Sequence, residues 1–516
     1  LQPVRVPFGD YKPDLAKLVN DGLAVANNTV PITGGYTGIN ALSNVTAFTA
    51  IAERPRGAIA GIDAKGNPFN FVGTETKLYS LRTETIDATR LVGGDYGCSN
   101  ENFWEFAAFD NFVMAVNAGD APQYFIINSS DNFLKLGNPD LTKTVAPYGS
   151  SHIGIIDRFV VMGNTSNDPG EIHWSALNDP FNWPDPGSAV AGAVQSDRQA
   201  LSGDGGAVQR VVSGAEVGVI FQERAVWRAD YRGGDVIFEL NRVEPNRGLL
   251  IPAIAIPFGR NVFYLSEDGF YLFNYTESIP IGRDIIDATF MADVDTSLFD
   301  RVSAVSDPDS QRIWILYPGA GHAASGTPNK YLCYDWGLNR WSHGEITAEW
   351  LTQTVQAGVH LDTAGSIGDP NSISDDPAFP DGGVDSGGLG SFDERQVPSG
   401  SLRLGAYSAT PFRLQDFTGT GLAATLQTGR RELIPGSRSL ASRVRIMIDG
   451  VNPTLEVAGL RRVNATTRFG PSTRIDEDGD APCRKDGRYH VFKVKVGSGF
   501  SDALYMDVLC QRSGFR

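Results

Sequence analysis

The chain has 516 residues, 41% hydrophobic and 20% charged, with 58 Gly, 29 Pro and a formal net charge of −16. That length exceeds one ordinary core and implies two or three domains, while dispersed Gly and Pro imply many tight turns and favour an all-β chain. The acidic total argues against a nucleic-acid clamp, and the most apolar run, "LLIPAIAIPF" (249–258), is too short and too proline-broken to span a membrane.

Residues 1–45 read as an extended arm. "YKPDLAKLVNDGL" suits a turn or two of helix after Pro13, and the opening "LQPVRVPFGDYK" lacks the apolar segment of a secretory signal. Val30, Ile32, Tyr36 and Ile39 are too apolar for a free tail, so the arm is expected to pack on neighbouring domains.

Residues 46–360 carry a loose repeat. "RGAIAGIDAKGNPFNFVGTETKLYSLR" reads as three strands, Ala58–Ile62, Phe69–Gly73 and Lys77–Leu81. "FWEFAAFDNFVMAVNAGDAPQYFIINSSDNFLKL" repeats the pattern, with Asp110-Asn111 and Ala118-Gly119-Asp120 as turns. Four more groups follow before residue 345. Six groups over roughly 300 residues approach the ~40–50 residues of a four-stranded propeller blade. The expected fold is therefore an irregular β-propeller of about six blades, with two β-sandwiches as the rival arrangement.

Aromatic-rich turns punctuate the repeat. "EIHWSALNDPFNW" reads as an inner strand ending at Trp174, a turn through Asn178-Asp179-Pro180, and an aromatic return at Trp183. "YLCYDWGLNRWSHGE" repeats that logic with Trp336 and Trp341. Large rings near turns fill the wedge between neighbouring sheets, so Trp174, Trp183, Trp336 and Trp341 are expected to pack blades. The functional rival is sugar stacking by Trp183, Trp336 and Trp341.

Residues 361–400 are crowded with Gly, Ser, Asp and Pro and read as an insertion or linker. Residues 401–516 alternate apolar with polar or arginine positions, as in "RVRIMID" and "YHVFKVKV", and are expected to form a β-sandwich-like platform domain. Charge divides at the same point. Residues 401–516 hold 18 Lys+Arg against 11 Asp+Glu, a balance of +7, which leaves 26 against 49, or −23, for residues 1–400.

Little of this looks like chemistry. The six histidines (152, 173, 322, 343, 360 and 490) lack metal-ligand spacing, and no P-loop, GxSxG, HExxH or GxGxxG occurs. Cys98, Cys333, Cys483 and Cys510 show no zinc spacing; Cys483 and Cys510 could meet across adjacent strands, or all four stay reduced. "SEDGFYLF" and "SDPDSQRIWIL" approach the Asp-box hairpin without matching it. No enzyme activity, metal or cofactor is expected.

The chain resembles the tail nozzle, or packaged-DNA stabilisation, proteins of short-tailed bacteriophages. The resemblance runs through "NNTVPITGGY", "GTETKLYSL", "IHWSALNDPFNW", "VFYLSEDGFYLF", "YDWGLNRWS", "DFTGTGLAATLQTGRREL", "DGRYHVFKVKV" and "RSGFR". It implies a homo-hexameric ring at the distal tail of the virion, docked on an adaptor ring and contacting tail fibres or spikes. Double-stranded DNA would pass through without sequence recognition, and no catalytic residues are implied. The acidic 1–400 region would line the channel, since an acidic wall repels the duplex it conducts. The basic platform would dock on an acidic neighbouring ring, with Arg430, Arg431, Arg443, Arg445, Arg461 and Arg462 as the candidate surface.

Overall fold

The computed structural model describes residues 2–355 and 402–514, apart from 64–67, 82–83, 92, 100–101, 128, 137–145, 235 and 477. The expected insertion 361–400 lies outside the described residues.

The chain is nearly all β. The six sequence groups are six four-stranded antiparallel meanders, five of them separate sheets and the sixth part of a larger sheet. Blade 1 runs Ala58–Ile62, Pro68–Gly73, Leu78–Leu81 and Thr85–Asp87, within a residue of the strands read from sequence. Blades 2 to 6 open with Glu105–Phe109, His152–Ile156, Val208–Val212, Ala255–Phe258 and Ser303–Ser306. Tight hairpins set the register. Asp110 (φ 51°) and Asp157 (φ 53°) take the left-handed conformation at the first turns of blades 2 and 3, which Asp tolerates better than bulkier residues.

A seventh blade corrects the boundary expected at 401. Trp350–Val355 pairs with Leu402–Tyr407, then Leu414–Asp416, and last with Ser43–Asn44 from the arm. "SLRLGAYS" and "PFRLQDF" therefore belong to the propeller, not the platform. The first strands adjoin one another in order around the ring, and Trp350–Val355 closes it against Ala58–Ile62. Closure is clasped by Asn70: its Nδ2 donates to Leu81 O (3.0 Å) and Val355 O (2.7 Å), and its Oδ1 accepts from Val355 N (2.9 Å).

The platform is a sandwich that the arm completes. One sheet holds Gln2–Pro7, Thr29–Ile32, Gly35–Gly38, Ala503–Gly514, Arg438–Ile448 and Asp480–Gly487. The other holds Leu23–Asn27, Ala424–Thr428, Tyr489–Val496, Thr454–Leu460 and Thr473–Arg474. Leu23–Asn27 also meets Arg340–Glu345 of blade 6, in parallel, at Asn27 and His343. Blade 6 and the second platform sheet are thus one nine-stranded sheet. A single core joins Phe8, Leu23 and Tyr36 of the arm, Phe263 and Phe270 of blade 5, Ile313 and Trp341 of blade 6, and Val444, Phe492 and Met506 of the platform. Apolar burial on that scale, worth roughly 25 cal/mol per Å², ties propeller and platform together.

Two local readings differ from the structure. The stretch after Pro13 forms turns rather than helix; Asp14 instead accepts from Ala288 N (2.7 Å) and Thr289 N (2.9 Å), tying the arm to helix Asp287–Asp293. Glu171–Trp174 is the third strand of blade 3, not an inner strand, because it pairs with Phe159–Gly163 and Asp197–Ala200.

Candidate functional site

The six arginines singled out from the sequence do not share one surface. Arg443 and Arg445 lie exposed on the outer face of the first platform sheet. There the register sets Arg5, Asp507, Arg445 and Asp480 side by side across four strands. Arg5 pairs with Asp507 at 3.0 Å and Arg443 with Asp480 at 3.2 Å. That face is a ladder of alternating charge, in which each cation neighbours an acid. Arg431 turns onto the carbonyls of Asp21 and Gly22, and its burial lowers the guanidinium pKa. It fastens the arm rather than a partner.

Arg430, Arg461 and Arg462 belong to a different feature. Residues 461–472 cross the outer face of the second platform sheet as a strap. Val463, Ala465 and Phe469 pack there against Ala458, Leu460, Tyr489 and Val491. Arg430 Nη2 holds the strap by donating to Ala465 O at 2.9 Å. The strap exposes Arg461, Arg462 and Arg468, and no acidic residue occurs from 457 to 475. Beside it, Lys493 and Lys495 share one carboxylate, Glu456, at 3.9 and 2.6 Å. Sequence reasoning passed over Arg468, Lys493 and Lys495; the acid-free run from 457 to 475 was the signal that marks this surface.

The four tryptophans sit between sheets. Trp174 is 3% exposed in a cluster built from blades 3 and 4, edge-on to Phe238 at 5.2 Å. Trp183 is fully buried between blades 2 and 3, with Nε1 donating to Pro180 O at 2.8 Å. The turn that delivers it is formed by Asn178 (φ 60°) and by Asp179, whose carboxylate accepts from Phe181 N at 3.1 Å. Trp341 packs on Phe270 of blade 5 (5.1 Å) and Tyr334 of blade 6 (4.5 Å), while half-buried Trp336 lies against Phe258 of blade 5 at 4.7 Å. Trp183 and Trp341 are closed to solvent and present no face on which a sugar could stack.

On the propeller axis is a cavity of about 220 Å³, lined in part by Ala58, Ala60, Phe106, Arg210, Ala304 and Gln353. Its charge is a clasp across three blades. Glu105 Oε1 lies 2.8 Å from His152 Nδ1 and accepts from Arg210 Nη1 at 2.7 Å, while Oε2 accepts from Ile153 N at 3.0 Å. Burial pushes the Glu105 pKa up, but Arg210, His152 and these hydrogen bonds outweigh it and hold the carboxyl below its ordinary value. The group is a structural clasp: both oxygens of the acid are engaged by the fold.

Cys483 and Cys510 flank Arg438–Ile448 on either side rather than facing each other across adjacent strands. Among the described residues, no three His, Cys, Asp or Glu side chains are placed to hold a metal ion.

No protein-family model matches the chain, and no curated protein matches it. Among solved structures it is similar to the computationally designed Ika8 protein, at 9% identity and TM-score 0.33, over 61% of this chain and 91% of that one. It is also similar to the AfRom2 CNH domain, at 8% identity and TM-score 0.34, over 61% and 92%. AztD from Citrobacter koseri gives 9% identity and TM-score 0.29, over 58% and 76%. Likeness this weak carries no argument; the propeller assignment rests on the strand topology of this chain.

Proposed function

We propose that this chain is a structural subunit of a bacteriophage tail, six copies of which form the distal nozzle ring that seals packaged DNA and conducts it outward. The observation that carries the reading is mechanical. Propeller, arm and platform share one nine-stranded sheet and one core, so the subunit transmits load without a flexible linker between its two parts. Charge adds to it. The −23 balance of residues 1–400 would let a duplex pass without phosphate contacts that retain it. The strap bearing Arg461, Arg462 and Arg468 supplies a cationic face for an acidic adaptor ring.

Electron microscopy of the purified protein and of virions tests this. A six-fold ring with an open lumen at the tail tip is the expected result; a lone subunit absent from virions refutes the proposal. The triple variant R461E/R462E/R468E is expected to lose attachment to isolated tails, and R443E/R445E to keep it. Equal attachment of both variants and wild type would remove the docking role while leaving the ring itself standing.

A further inference from the structure

A groove of about 410 Å³ opens where the arm near Ile39, the first hairpin of blade 6 and the second and third strands of blade 7 meet. Its volume is that of a small-molecule site, and its wall mixes charges of both signs. Asp307, Asp309 and Asp416 supply acceptors, Arg312 and Arg403 supply donors, and half-buried Phe417, whose ring centroid lies 5.5 Å from that of the buried Trp314, supplies an apolar base.

Some of this capacity is spent on the fold. Arg312 pairs with Asp335 at 3.3 Å and donates to Pro31 O at 2.9 Å. Asp416, 7% exposed, accepts from the Thr418 hydroxyl at 2.5 Å. The side chains of Asp309 and Arg403 have no hydrogen-bond or ion-pair partner among the described residues, so both are available at the rim.

We propose that this groove binds a neutral polyhydroxyl ligand, a hexose unit of a saccharide. A carboxylate only accepts and a guanidinium only donates, whereas a hydroxyl does both. A ring of hydroxyls can therefore satisfy Asp309 and Arg403 together, through charge-assisted bonds. A small anion meets Asp307, Asp309 and Asp416, and a small cation meets Arg312 and Arg403, so each is repelled at one side of the groove. The C–H face of a pyranose suits the negative face of an aromatic ring, here that of half-buried Phe417. The groove lies within one subunit and is independent of the nozzle reading, and none of the four blade-packing tryptophans lines it.

Saturation-transfer NMR on the full chain, with glucose, galactose, mannose, rhamnose and N-acetylglucosamine as probes and glucuronate and spermidine as charged comparators, tests the site. The expected result is saturable transfer to at least one neutral sugar, weakened about tenfold in D309N and in R403Q, as loss of one charge-assisted hydrogen bond implies. Both variants should melt with wild type; if either does not, T418V replaces it. Absence of transfer to every neutral sugar overturns the inference, as does binding unchanged by the variants. Tighter binding of glucuronate or spermidine than of every neutral sugar overturns the ligand class.

Discussion

The guanidinium of Arg340 lies 4.7 Å from the ring centroid of Tyr36, and that contact joins blade 6 to the arm. Nη1 donates to Ile32 O (2.9 Å) and Gly35 O (3.0 Å), Nη2 donates to Phe8 O (3.2 Å), and Asp10 lies 2.9 Å away. One side chain thus donates to three carbonyls of the arm. Removing it takes one donor from each of those carbonyls. R340M is expected to cost about 2–4 kcal/mol, read as a lower denaturant midpoint. R340K should recover less than half, because an ammonium cannot match a planar fork.

Asn70 is the corresponding clasp of the ring itself. Its amide spans blade 1 and the innermost strand of blade 7, and N70A abandons three bonds at 2.7–3.0 Å. A loss of about 2–4 kcal/mol is expected. Hydrogen exchange should locate it: the Val355 amide should exchange faster in N70A, while blade 3 amides keep their wild-type rates.

Asp287 is an acid at odds with its surroundings. Burial, together with Asp14 and Asp268 nearby, pushes its pKa up to about 6 against the Phe270 N–H that it accepts. The folded state therefore holds this proton more tightly than the unfolded chain does. The stabilisation is complete below the unfolded value near ~4 and is lost as pH rises through about 6. At pH 7 the carboxylate costs about 1–2 kcal/mol, after allowance for its partial exposure. D287N should keep the bond to Phe270 and raise the melting temperature at pH 7.5, with little change at pH 4.

Two histidines act in the opposite direction. Burial, with Arg198 beside it, lowers His173 to about 4; burial, with Lys330 nearby, lowers His343 to about 4. Both stay neutral when folded. Their contribution is intact above the unfolded value of ~6.5 and disappears as pH falls from there toward 4. His173 packs edge-on to Trp183 at 5.2 Å with Nε2 unpaired among the described residues. H173F should remove up to about 3 kcal/mol of acid-induced destabilisation, seen as a shallower fall in unfolding free energy between pH 6.5 and 4. An unchanged pH profile would show that His173 is hydrated when folded.

Much of the propeller was legible in the sequence because it is made of local events. The strand Ala58–Ile62, the turn at Asp110 and the run "YHVFKVKV" declare themselves within ten residues through period-2 alternation and turn chemistry. The ring-filling role read for Trp174 and Trp183 came from the same kind of cue, and their places between sheets follow from it. The expected insertion at 361–400, read from composition alone, lies outside the described residues.

The arginines were harder to sort. Arg443 and Arg461 look alike in sequence, each beside an aliphatic residue and within two positions of another arginine. The register brings Asp480 to Arg443, while the strap leaves Arg461 and Arg462 exposed with no acid in its own segment, Asp486 acting on Arg461 from the other sheet. A charge is free or neutralised according to what lies across the sheet, often dozens of residues away.

The amino-acid order determined the β class, the turn positions and the split between an acidic body and a basic end, since each depends on neighbours in the chain. Tertiary structure decided the seventh blade and the union of blade 6 with the platform. Both rest on pairings such as Gln415 with Asn44 and Asn27 with His343. Such pairings form because closing a ring and covering an apolar face lower the free energy of the whole molecule; no local pattern records which distant strand does so.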